Sequence, residues 1–336
     1  MTIDFTVAIP TYNGETRLPE VLNQLRNQVG ADSIEWEVIV IDNNSTDQTA
    51  KVVRKYQAEW PDRCPLRYYF EPEQGAGFAR KRAVDKSQGK LIGFLDDDNI
   101  PSANWVATAY TFGEKYPQVG AFGGQIHGDF EVPPPLELSP LLPFLAIVER
   151  GLEPFRYEPH RKLLPPGAGI VIRKKAYLSS VPRQTILTGR IEGNTLTGED
   201  LEMLCYIQQA GWEIWYNPEM EIDHKIPHWR LQRDYLIPFT RGIGLSRFVT
   251  RMLSLKPWQR PLVYLAYTIN DVKKLIVHII KYRGKIKSNL LAECYTELFL
   301  SSLLSPFYLW RNGYFDLREE EIKLNCALLQ NSEKCL

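Results

Sequence analysis

The sequence predicts an α/β fold, a mostly parallel central sheet wound with helices, plus a C-terminal helical extension. Three observations predict it. Apolar strand-like runs recur four times within the first ~100 residues, and each ends in a polar turn. Each turn leads into a segment of helical character, and βα units repeated in this way build a parallel sheet. Beyond Pro261 the pattern changes to long apolar stretches broken by charge, suited to helices.

The first element is the run Phe5 to Pro10, a buried strand, followed by the turn Thr11-Tyr12-Asn13-Gly14. A helix then carries Leu18, Val21, Leu22 and Leu25 on one face. The second unit repeats this with Glu37 to Asp42, the turn Asn43 to Asp47, and another helix. Leu66 to Phe70 is the third strand, followed by Glu73-Gln74-Gly75-Ala76-Gly77 and a basic helix through Arg80 and Arg82. The fourth strand, from Leu91, ends abruptly in Asp96-Asp97-Asp98-Asn99.

Strand geometry sends alternate side chains to one face, so an extended chain would point Asp96 and Asp98 the same way. Two carboxylates that close repel unless a cation sits between them or one is protonated. Hard oxygen donors at a strand end suit magnesium or manganese, which keep waters and recruit substrate phosphates. Open α/β sheets bind ligands at this end of their strands. The competing reading is an acidic turn capping a helix that starts near Pro101–Ser102. Gly75-Ala76-Gly77 followed by Asp96 imitates a dinucleotide fingerprint, but Arg80 occupies the third glycine position, where close helix–strand packing needs glycine.

Length and composition set outer bounds. A chain of 336 residues, 44% hydrophobic, supports a large core and about two structural units. The expected division is a domain over 1–226, a helical extension over 227–316 suited to a membrane surface or to self-association, and a polar tail over 317–336. Forty basic and forty acidic side chains cancel, which argues against a nucleic-acid partner. Five scattered cysteines without a C-x-x-C suit reduced thiols. Met1 to Phe5 shows no secretory signal, so a cytoplasmic location is expected, with the inner face of the plasma membrane open.

Four ordered blocks carry a family resemblance. These are Ile9-Pro10-Thr11-Tyr12-Asn13, Val40 to Asp47, Gly75 to Arg80, and Phe94 to Asp98. Together they resemble glycosyltransferase family 2, whose members have the GT-A fold. The resemblance implies a nucleotide-sugar site with Pro10, Thr11, Tyr12, Asn13, Asp42, Gly75, Arg80, Asp96 and Asp97 on the donor. Thr11, Asp42 and Arg80 would meet its nucleobase end. Asp42 can accept from a uracil N–H, which favours a UDP-sugar donor; its alternative duty is to hold the turn. Asp47 reads as turn and N-cap only. The resemblance further implies that Asp98 binds Mn2+ or Mg2+.

Later segments fit the same scheme. Val119 to Gly124 reads as a strand, and Pro133-Pro134-Pro135 with Pro140 and Pro143 as an irregular excursion. Leu163 to Arg173 returns to strand, with Gly167 and Gly169 either beside the acceptor, as the family implies, or required by packing. Thr197-Gly198-Glu199-Asp200 precedes a helix. Its acids either complement the helix dipole or, as the resemblance implies, Asp200 is the catalytic base and Glu199 orients the loop. Gly211 to Pro218 ends a strand, and His224 is either structural or a metal ligand. Arg230, Arg233, Arg241, Arg247 and Arg251 follow, and the family places one such arginine near the diphosphate.

Leu290 to Trp310 reaches spanning length but carries Glu293 and Glu297. The helices therefore either pack on the domain or lie at a membrane surface as a peripheral contact. The expected function is inverting, metal-dependent transfer of a sugar to a saccharide or lipid-linked saccharide hydroxyl. Gln125 to Glu131 and Lys256 to Pro261 resemble enzymes of exported-polysaccharide synthesis. Two rivals are a sugar nucleotidyltransferase, which should carry a glycine-rich, arginine-bearing loop after the first strand, and a non-catalytic nucleotide-sugar-binding partner, which should lose Asp98 or Asp200.

Overall fold

The computed structural model describes residues 3–159, 163–189 and 196–314. The chain divides into two compact units, Met1–Val181 with Met203–Gln232, and Pro182–Glu202 with Arg233–Leu336.

In the first unit, β1 (Phe5–Thr11), β2 (Trp36–Asp42), β3 (Leu66–Phe70) and β4 (Leu91–Phe94) are parallel neighbours in the order β3-β2-β1-β4. They are joined by α1 (Leu18–Arg26), α2 (Thr49–Ala58) and α3 (Ala76–Lys86). β2 is buried at every position and β1 at all but one, which is why their sequences run apolar without alternation. The α1 residues picked out by periodicity are all buried.

The sheet continues from β4 through β8 (Val171–Arg173), β6 (Val119–Phe130), β9 (Glu213–Ile226) and β5 (Asn99–Pro101), while β7 (Phe155–Arg156) pairs with β9. β8 runs antiparallel to β4 and β6, and β6 and β9 are parallel, so the sheet is mixed but mostly parallel. α4 (Trp105–Lys115) and α5 (Lys174–Ser180) belong to the first unit, and α6 (Glu199–Gln209) begins in the second unit and continues in the first from Met203. Phe5 and Trp105 meet edge to face, 6.0 Å between ring centroids. They leave no room above Gly93, where a Cβ would stand 2.5 Å from the Trp105 ring.

Several boundaries differ from expectation. The strand from Val119 extends to Phe130, and the strand expected to end at Pro218 runs on to Ile226. The two hold each other by parallel pairing along their length. The proline-rich excursion contains a 3-10 helix over Leu136–Leu145 that accommodates Pro140 and Pro143. The segment from Leu163 becomes strand only at Val171. The helix expected near Pro101–Ser102 begins at Trp105, because Asn99–Pro101 is engaged as β5 against β9.

The second unit contains α7 (Arg233–Leu253), α8 (Arg260–Tyr282) and α9 (Leu290–Arg311). α7 and α9 approach closely at Gly244, where a Cβ would collide with the Ser301 hydroxyl and stand 2.8 Å from the Leu298 carbonyl. Among the described residues no helix is long and apolar enough to cross a membrane. Cys64, Cys205 and Cys294 are buried free thiols. Cys326, Cys335 and the polar tail lie outside the described residues.

Candidate active site

The three carboxylates do not prolong β4. The chain leaves the strand after Phe94 and turns at Asp97 and Asp98 before β5. Asn99 stitches this turn, its amide donating to Asp98 Oδ1 at 3.1 Å and its Oδ1 accepting from the Asp96 N–H at 3.2 Å. The expectation that Asp96 and Asp98 share one face of an extended run is therefore corrected. The turn fans the side chains apart, and each meets its own arginine.

Asp97 receives Arg17, with Nε at 2.7 Å and Nη2 at 3.0 Å, and the Thr11 hydroxyl at 2.5 Å. Asp96 lies 3.4 Å from Arg80, whose buried guanidinium also sits 5.8 Å over the Phe94 ring. Asp98 receives Arg230 Nη2 at 2.7 Å and lies 3.7 Å from His224 Nε2. Three guanidinium groups thus relieve the repulsion that sequence reasoning assigned to one shared cation.

The electrostatics follow from these partners. Burial alone pushes the Asp98 carboxyl up, and the Arg230 guanidinium paired with it opposes this and holds the group below the usual carboxylate range. Burial raises Asp97 against the opposing pull of Arg17. Arg230 Nη1 lies 2.9 Å from His224 Nε2, and because arginine only donates, that nitrogen presents its lone pair. His224 reaches this position through strand register, paired with Asn99 across β5 and β9. Its Nδ1 is buried and meets no hydrogen-bond partner among the described residues.

Among the described residues no three His, Cys, Asp or Glu side chains converge as a complete metal cage. The fit to an ion is nevertheless good for two donors. A carboxylate oxygen and an imidazole lone pair, 3.7 Å apart, both face a bound cationic group. Mn2+ or Mg2+ held there would take its remaining ligands from water and phosphate oxygens, as these ions commonly do.

The first two strand ends are tied into one ledge. Asn13, in the left-handed region at φ 51°, accepts the Thr46 N–H at 2.8 Å and donates its own N–H to Ser45 at 2.9 Å. Pro10 pairs with Ile41 in the sheet, and Tyr12 is exposed beside them. Asp42 is buried, taking the Ser45 N–H on Oδ1 at 2.9 Å and the Tyr68 hydroxyl on Oδ2 at 2.6 Å. Burial and this carboxylate raise the Tyr68 phenol, so it stays a donor. Asn43 holds the next loop by accepting from the Gly75 N–H at 2.8 Å, and Gly75 at φ 138° adopts backbone that favours glycine. Asp47 accepts the Thr49 N–H at 2.9 Å, the local duty expected of it.

Gly167 and Gly169 are buried ahead of β8. Gly169 has φ +66°, and a Cβ there would stand 2.9 Å from Ile222. Packing thus accounts for this glycine without a ligand. Glu199 and Asp200 open α6 in the second unit, Asp200 Oδ1 accepting the Leu201 N–H at 2.8 Å. Glu202 is fully buried and holds the Ile186 and Leu187 N–H groups at 3.0 and 2.7 Å. Sequence reasoning missed Arg17, Tyr68 and Asn43, and it left the arginine near Asp98 unassigned. Only a contact map could find the first three, since each binds a residue more than 25 positions away.

Residues 6–174 match the profile of the family described as glycosyl transferase family 2. The chain is 32% identical over 108 residues to the poly(ribitol-phosphate) beta-N-acetylglucosaminyltransferase TarS of Staphylococcus aureus. That match covers 32% of this chain and 18% of TarS. It is also 32% identical over 96 residues to the GalNAc(5)-diNAcBac-PP-undecaprenol beta-1,3-glucosyltransferase of Campylobacter jejuni, covering 28% of this chain and 29% of that one. The matched segment thus spans less than a third of either relative. Over most of their lengths, the fold resembles two solved structures. One is TarS 1–349 in complex with UDP-GlcNAc, with TM-score 0.52, 17% identity and coverage of 93% of this chain and 92% of that one. The other is the mannosyltransferase PcManGT from Pyrobaculum calidifontis with GDP-Man and Mn2+, with TM-score 0.57, 17% identity and coverage of 89% and 86%. The expected GT-A fold with C-terminal helices is thereby established.

Proposed function

The chain belongs to glycosyl transferase family 2, and from that premise we propose that it is an inverting, metal-dependent glycosyltransferase using a UDP-sugar. The observation that carries this reading is the convergence of Asp98 and His224 on one cationic position at a strand end, beside the ledge of Thr11 to Asn13 and Asp42. Asp42, oriented by Tyr68 and Ser45, retains acceptor capacity for a uracil N–H. Arg80 and Asp96 line the donor with Gly75, and Asp97 is the anchor that fixes Arg17 and Thr11.

Asp98 and His224 would hold Mn2+ or Mg2+. Such an ion neutralises charge on a departing diphosphate. Asp200 accepts the proton of the acceptor hydroxyl as its oxygen bonds to the anomeric carbon, and the bond from that carbon to the diphosphate oxygen breaks with inversion. This assignment rests on the family likeness of Glu199-Asp200. General-base assistance of this kind is worth roughly 100- to 10,000-fold. The acceptor is a saccharide or lipid-linked saccharide hydroxyl in the synthesis of an exported polysaccharide, made at the inner face of the plasma membrane. The Campylobacter relative, described as acting on an undecaprenol-linked glycan, supports this class.

The test is calorimetric titration with UDP, with and without Mn2+, on wild type and Asp98→Ala. Metal-dependent binding lost in the variant is expected. Absence of binding to UDP, GDP and dTDP alike would sink the reading.

A further inference from the structure

In the second unit the usual sorting of a water-exposed helix is reversed. α8 turns Leu262, Leu265, Ile269, Ile276 and Ile280 outward, each more than half exposed. These positions fall within one stripe at helical spacing, into which the exposed Lys273 also falls between Ile269 and Ile276, its long stem able to carry the ammonium out to the rim. Its opposite side buries ionisable groups. Asp271 is 1% exposed and accepts a two-pronged ion pair from Arg251 at 2.5 and 3.2 Å. His278 is 9% exposed, and its Nε2 donates to the Ala292 carbonyl at 2.8 Å.

α9 does the same, burying Ser301, Ser302 and Ser305 while exposing Leu304, Phe307 and Trp310. Phe307 and Trp310 also line, with Pro261 and Tyr264 of α8, an open apolar groove of about 640 Å³ that joins the two stripes. Apolar stripes facing out, with small and paired polar residues facing in, suit helices whose outer solvent is hydrocarbon. Neither helix can span, so the stripe belongs in the plane of an interface.

Charge decides which interface. From Lys256 to Lys287 the chain carries eight lysines and arginines and one acid, the buried Asp271, within a protein of net charge zero. Lys273, Lys274, Lys281, Arg283, Lys285 and Lys287 are exposed. A second copy laid on this stripe would bring two such basic segments together, whereas an anionic bilayer neutralises them. Exposed Trp258 and Trp310, 70% and 74% accessible, are side chains that favour the headgroup level. We infer that α8 and α9 form a docking surface for anionic phospholipid bilayer, α8 lying in the interface with its apolar stripe among the acyl chains and its lysines on the headgroups.

The proposal stands on this surface and not on the sugar-transfer reading. The test is flotation of the full-length protein with vesicles of phosphatidylcholine alone, or mixed with phosphatidylglycerol. UDP binding is measured in parallel on the same preparations. Binding to the mixed vesicles, weak on the neutral ones and reduced by salt, is expected. Each basic residue near such a surface is worth about fivefold in affinity, so K273Q/K274Q/K281Q should bind roughly 100-fold more weakly. I269D/I276D alters only exposed positions and should abolish flotation while leaving the melting curve intact. Equal binding to neutral and anionic vesicles overturns the proposal. So does the absence of flotation, whether the protein is then monomeric or forms a dimer that I276D dissociates in sedimentation.

Discussion

Arg230 stands where the proposed ion would be held, and its removal should strengthen binding of the metal alone. Its guanidinium touches Asp98 Oδ2 at 2.7 Å and His224 Nε2 at 2.9 Å, the two donor atoms in question. Any ion must first displace it. A hydrogen bond to a charged partner contributes about 1.5–3 kcal/mol. Arg230→Met removes that competition and leaves the buried Asp98 carboxylate without a guanidinium. Every 1.4 kcal/mol is tenfold, so the dissociation constant for Mn2+ without nucleotide should fall about 10- to 100-fold. The assay is titration of free Mn2+ by its electron paramagnetic resonance signal, on wild type and variant of matched melting temperature. With UDP present the gain should vanish, because the displaced arginine is then available to the diphosphate. An unchanged or weaker affinity for Mn2+ alone in Arg230→Met would show that these two side chains do not form the ion's site.

Three further outcomes are expected. Asp200→Asn should lower the turnover number roughly 100- to 10,000-fold with UDP affinity unchanged, measured by sugar transfer and calorimetry; normal transfer removes Asp200 from the mechanism. Asp42→Asn should weaken UDP by about 1.5–3 kcal/mol and CDP by less, since uracil presents an N–H at N3 where cytosine presents a lone pair; an equal loss for both places Asp42 in turn-holding alone. Gly93→Ala should destabilise the fold by about 1–3 kcal/mol in urea unfolding, because the new methyl meets the Trp105 ring at 2.5 Å; an unchanged midpoint would mean that the ring moves freely.

Much of the α/β part was legible because its signals are local. The apolar runs of β1 and β2 and the Leu18, Val21, Leu22, Leu25 stripe each report their own burial over a few residues. The path of Asp96 to Asp98 was not legible. Whether the chain stays extended past Phe94 depends on Asn99 pairing with β9, more than 120 positions away. Separations of 80 and 132 positions likewise hid Arg17 from Asp97 and Arg230 from Asp98. Pattern reading also treated the C-terminal charges as interruptions. Asp271 and Arg251 are instead an internal pair, which no periodicity reveals.

The pairing of β5 with β9 has a consequence for how this protein can change over time. Along β9, His224 is buried while its neighbour Asp223 is exposed, and β5 sets Asn99 opposite His224. The identity of the second donor is therefore set by counting residues. Deleting or inserting one residue just upstream of Asp223 would place Lys225 or Asp223 opposite Asn99, replacing an imidazole with a like-charged competitor of the ion or with a second carboxylate. Point substitutions on the exposed face of β9 are tolerable steps, whereas length changes in this stretch are not. Natural variation in length should accumulate elsewhere, as in the proline-rich excursion before Leu136.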